Sequence, residues 1–171
     1  MSDLILNILM LWERNGDYGL ALTDQVGAEQ SVYQPAGELN HPAWVLSHLN
    51  TYHETLEAII HGHAVTDPKD AAFGMRSQPV ADVKAYVSLP RLRDEFLWGH
   101  RSIADALRLA GPALLERQVP LERWQNWLPT MSAVLMNLMV WHETLHLGQL
   151  SAWRRAAGLP PVSILPIPNQ P

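Results

Sequence analysis

The sequence predicts an all-α fold, a bundle of four helices. The run from Thr130 to Ala157 contains no proline and a single glycine, Gly148, so it reads as one long helix. Three upstream segments repeat their apolar residues at helical spacing, and each is bounded by capping residues or by glycine and proline. Four helices with long connectors pack as a bundle, and bundles build metal sites from side chains that face one another in the core.

The first helix starts at Ser2 as N-cap and carries Ile5, Ile8, Leu9 and Trp12 on one face. It is extended to about Val26, with Gly16 and Gly19 on one face, where they either loosen the helix or admit a close neighbour. Residues 27 to 40 read as a loop. Asn40-His41-Pro42 predicts the second helix start, with Asn40 as the cap, and the helix runs to about Ile60 before Gly62. Its apolar face holds Trp44, Val45, Leu49, Tyr52, Leu56 and Ile59, opposite Asn50, Glu54 and Glu57. His48 lies inside that stripe, His53 at its edge, and His41, His61 and His63 at or beyond the ends.

Residues 63 to 88 form a long crossover with at most one helical piece, around Asp82 to Tyr86. An extended chain covers about 3.3 Å per residue against 1.5 Å in a helix, so this stretch can run back along a helix and leave the second and third helices parallel. The third helix opens at Ser88-Leu89-Pro90 and closes near Ala110, with Leu92, Phe96, Ile103 and Leu107 inside. His100 lies near that face and reads first as core or pocket lining. The connector from Gly111 to Pro129 carries a short helical piece around Ala113 to Arg117, and its Trp124 and Trp127 are expected to cover one end of the core.

Thr130 caps the fourth helix, whose Leu135, Leu138, Met139, His142, His146, Gln149 and Trp153 share a face. Val134, Met136, Val140, Trp141 and Leu147 make other faces apolar as well. A helix apolar all round is deeply buried or pairs with a second chain, so a homodimer is one expectation and burial within one chain the other. Arg154 and Arg155 suit the helix C-terminus, ahead of a role in anion binding, and Gly158 suits the C′ position. Residues 159–171 hold five prolines and are expected to be extended.

The length of 171 residues fits a single domain, here the whole of 1–171. A net charge of -5 and a pI near 5.9, with no basic cluster, argue against a nucleic-acid partner. The first residues lack a basic n-region, and no apolar run reaches membrane-spanning length, so no membrane partner and a cytoplasmic location are expected. With no cysteine, metal ligands must be His, Asp or Glu, and any thiol chemistry needs a thiol from outside.

The chemistry concentrates in Trp141-His142-Glu143-Thr144-Leu145-His146-Leu147-Gly148-Gln149. His142 and His146 are one turn apart, their β-carbons about 5–6 Å from each other, within reach of one ion. The spelling His-Glu-x-x-His is that of zinc metalloproteases, in which the Glu is a general base. From Thr144 to Pro171, however, no Asp, Glu or further His follows apart from His146 itself. A third protein ligand must lie upstream, and His48 is the best placed. The bland alternative is a set of hydrogen-bonded core histidines. Glu143, about 100° around the helix from His142, is either a group that reaches a metal-bound water or a buried or dimer-facing polar residue.

Trp44-Val-Leu-Ser-His48-Leu, His142-Glu-Thr-Leu-His146-Leu-Gly-Gln149 and Trp153-Arg-Arg-Ala-Ala-Gly-Leu-Pro160 together resemble the DinB/YfiT-like metalloenzymes. The resemblance covers nearly the whole chain. It implies an up-down-down-up bundle, often dimeric, with a three-histidine site for one divalent ion at His48, His142 and His146. It also implies, from relatives that use bacillithiol or mycothiol, a thiol-dependent S-transferase or isomerase acting on a small electrophile. Three imidazoles suit zinc by default, with nickel, iron and copper as alternatives. Two other readings stand beside the transferase: a hydrolase in which Glu143 activates metal-bound water, and a non-catalytic metal or small-molecule binder. A substrate pocket near the ion is expected to use Trp44, Tyr52 and Trp153, each sharing a face with a ligand.

Overall fold

The structure, a computed structural model, describes residues 2–37 and 39–163. Among these the fold is all-α, without strands. Helix α1 spans Asp3–Leu22, α2 Pro42–His61, α3 Leu89–Ala110, α4 Glu122–Gln125, α5 Met131–Leu135 and α6 Glu143–Ala156, with a π-helical segment Met136–His142 joining α5 to α6. Short 3-10 turns punctuate the connectors. Of the tail expected to be extended, residues 164–171 lie outside the described residues.

Ser2 caps α1 by accepting from the Ile5 amide. The helix ends at Leu22 rather than near Val26: the Asp24 amide donates to the Ala21 carbonyl in a tighter turn, and Gln25 takes a left-handed φ of 59°. The α2 cap is His41, not Asn40: His41 Nδ1 accepts from the Trp44 amide and Pro42 takes the first turn. Gly62, with φ +76°, supplies the left-handed residue that closes α2. Arg154 is buried and donates to the Leu22 and Asp24 carbonyls at the end of α1 as well as to the Pro160 carbonyl beyond its own helix.

Two glycines of α1 permit contact with α3. A β-carbon on Gly16 would sit 2.8 Å from His100 Nδ1, and one on Gly19 would sit 2.7 Å from Phe96. Residues 50, 53 and 57 of α2 meet residues 92, 99 and 102 of α3 in the same order. Gly16 and Gly19 of α1 meet His100 and Phe96 of α3, in reversed order.

The apolar residues divide into two clusters. One gathers Ile5, Trp12, Leu56, Ile103, Trp124 and Met139; the other gathers Leu22, Val45, Leu49, Phe96, Leu147 and Leu150. On α3 and the last helical run, His100, His142, Glu143 and His146 lie between the two clusters in sequence, and on α2 His48 and His53 flank the change from one cluster to the other between Leu49 and Tyr52. The core is therefore interrupted by a layer of imidazoles and one carboxylate.

Candidate metal centre

The fold brings His48 of α2 together with His142 and His146 of the last helical run. Their ligand nitrogens all lie within 4.8 Å of one another. His48 Nε2 and His142 Nε2 are 3.1 Å apart, as close as two nitrogens each about 2.0–2.1 Å from one ion come. His48 Nδ1 donates to the Phe73 carbonyl at 2.7 Å, and His146 Nδ1 donates to Gln149 Oε1 at 2.9 Å. A carbonyl can only accept, so these bonds place the proton on Nδ1 and leave Nε2 of both rings as a bare electron pair. Fixing the ring and its tautomer through the other nitrogen is the usual arrangement behind a metal-bound imidazole. Asn40 donates to the same Gln149 oxygen at 3.0 Å and holds it in place.

Burial pushes all three histidines toward the neutral form that a metal requires. His48 is held down at about 4, by desolvation first and then by His146. His142 and His146 are lowered by the same desolvation, His142 further by His146, His48 and His53. The donor set fits a divalent ion. It holds no sulfur and brings no negative charge of its own.

A cavity of about 380 Å³ opens onto the three rings. Trp44 and Tyr52 line it as expected, but Trp153 does not: it is fully buried and donates from Nε1 to the Tyr33 carbonyl. Trp124, Trp127 and Trp141 complete the walls. Trp127 is half exposed at this cavity, so only Trp124 covers the core. Arg123 also faces the cavity, with its charge engaged by Asp67 in two hydrogen bonds of 2.6 and 2.8 Å.

Glu143 does not line this cavity. It is 1% exposed and lies 3.0 Å from His53 Nε2 and 2.8 Å from His100 Nε2. The reason is the π segment, which the sequence did not reveal. Leu135, Met139, Glu143 and Leu147 are all buried, every fourth residue. In a straight α-helix a four-residue step drifts about 40° around the axis. Bonding to the fifth residue winds more chain into each turn, cancels that drift and keeps this row on the core. His53 and His100 thus belong to the polar layer through Glu143; both lie at the margin of an apolar stripe, and nothing in their spacing links them to residue 143.

In the metal-free protein, stability should fall as the pH drops. An ordinary histidine titrates near about 6.5. His48 is lowered to about 4 and His100, chiefly by burial, to about 3. The unfolded chain therefore takes up these protons first, and stability is lost from about 6.5 downward. Glu143, raised by burial to about 7, acts in the opposite sense, its contribution being lost as pH rises, but it is one group against several. Denaturant midpoints measured with chelator between pH 7 and 4.5 check this; a flat or rising series would contradict it.

The fold and site together define a helical protein with buried His and Glu groups that could hold a divalent metal. The sequence model of the DinB superfamily matches residues 11–150, most of the chain, and the protein belongs to that family. Searches among curated proteins and among solved structures gave no match.

Proposed function

We propose that the chain is a single-domain metalloenzyme that binds one divalent ion at His48, His142 and His146 and uses an external low-molecular-weight thiol to act on a small electrophile, as an S-transferase or isomerase in the cytoplasm. The observation that carries this reading is the pairing of two tautomer-fixing hydrogen bonds with an aromatic cavity over the same three rings. Zinc is the default ion and nickel the alternative. The up-down-down-up bundle is supported by the order of contacts: α2 meets α3 in the same order and the last helical run in reverse, as His48 to His146 and His53 to Glu143 indicate.

A divalent ion at this site would supply a Lewis acid that favours the thiolate or hydroxide form of what it binds. The chain's own residues do the rest. Three neutral imidazoles would hold the ion, the Phe73 carbonyl and Gln149 keep two of them aimed, and the tryptophan walls flank the reacting pair. Since there is no cysteine, the sulfur nucleophile must arrive with the co-substrate. In transfer, a carbon–sulfur bond forms, the leaving group departs and the thiol proton passes to solvent. The hydrolase reading has less support, because the Glu143 carboxylate is turned to His53 and His100.

An aryl halide offered with a panel of small thiols should be consumed only when metal and thiol are both present, and His142→Ala should stop it. Metal-dependent ester cleavage without thiol, lost in Glu143→Gln, would replace the transferase by a hydrolase. Exposed Trp141, Leu145 and Met136 support a homodimer through this face. Sedimentation at micromolar concentration should give twice the chain mass; a monomer would contradict it.

A further inference from the structure

We propose that His53, His100 and Glu143 form a second metal site, a closed structural one that ties α2, α3 and α6 together through two imidazoles and a carboxylate. The proposal does not depend on what the three-histidine site does.

The ligand atoms of the three residues lie within 4.8 Å of one another, and every one of the residues is at least nine-tenths buried. His100 Nε2 and Glu143 Oε1 are 2.8 Å apart, yet neither atom makes a hydrogen bond with the other or with anything else in the protein. Two buried polar atoms in contact but unsatisfied are costly. A cation bound between the donors satisfies both, and it also neutralises a carboxylate that has no Lys or Arg partner.

The surroundings fit an ion held for structure. Trp12 stacks on the His100 ring at 3.9 Å and Phe96 lies 4.5 Å from it, which closes the site. His53 Nδ1 and His100 Nδ1 likewise find no hydrogen-bond partner among the described residues. The packing leaves the rings room only because Gly16 and Gly99 carry no side chain: a β-carbon on Gly99 would sit 2.7 Å from His53 Nδ1. One surface cleft, between α2 and α3, reaches His53 and another, between α1 and α3, reaches His100, but neither is lined by Glu143 or by all three donors. Two nitrogens and a carboxylate oxygen, without sulfur, suit zinc, iron(II), manganese or nickel and disfavour copper(I). The competing arrangement is an ion-free one in which a protonated Glu143 donates to His100.

Metal content per chain, measured by mass spectrometry on protein purified without chelator and dialysed against zinc, separates the two. The wild type should hold two equivalents. His146→Ala should lose the equivalent at the three-histidine site and keep the other. His100→Phe, which preserves ring packing, and the isosteric Glu143→Gln should each lose one and keep one. Should His100→Phe not fold, Glu143→Gln carries the test. A wild type with one equivalent, absent from folded His146→Ala, overturns the second site and leaves the first intact. Two equivalents retained in Glu143→Gln overturns it as well.

Discussion

Replacing Gly74 with alanine is expected to weaken metal binding about 10–100-fold, although residue 74 touches no ligand. A β-carbon there would sit 1.9 Å from the Pro68 carbonyl oxygen, a backbone atom that cannot rotate aside. The segment from Pro68 to Ser77 must therefore open. That segment presents the Phe73 carbonyl to His48 Nδ1 and the Ser77 hydroxyl to Trp44 Nε1 at 3.1 Å. Once it moves, His48 loses the bond that fixes its tautomer and Trp44 loses its anchor on the cavity wall. Competition against a chromophoric chelator measures the change. An affinity within twofold of wild type would mean that the loop does not orient His48.

Trp12→Ala is expected to cost about 3–5 kcal/mol of stability. Trp12 is 1% exposed, donates from Nε1 to the His100 carbonyl at 3.0 Å and contacts both the His53 and His100 rings. Its removal leaves a cavity beside the buried His53 and His100. Urea unfolding with chelator present gives the figure directly. A loss under about 1 kcal/mol would show that the polar layer stands without its aromatic cover.

The helices were legible because amphipathic spacing and caps act locally. The boundaries of α2 and α3 fall within a residue or two of those expected, and the crossover between them is a long, mostly irregular segment. His48, His142 and His146 were legible for a similar reason: two lie at i and i+4, and the third sits inside an apolar stripe. What escaped depends on contacts between distant segments. The cap of α2 went to His41 because Asn40 is drawn away to Gln149. Trp153 left the cavity because the Tyr33 carbonyl, 120 residues away in sequence, accepts its Nε1–H. The π turn leaves the apolar pattern of residues 131–150 readable as a uniform helix, and with it the sequence hides that Glu143 faces inward. His53 and His100 gain meaning only through that rotation.

The central claim is that His48, His142 and His146 share one divalent ion, and metal analysis of the purified wild type beside His146→Ala tests it most directly. The account predicts that folded His146→Ala holds one equivalent fewer than the wild type. Equal metal content in the two proteins would contradict it.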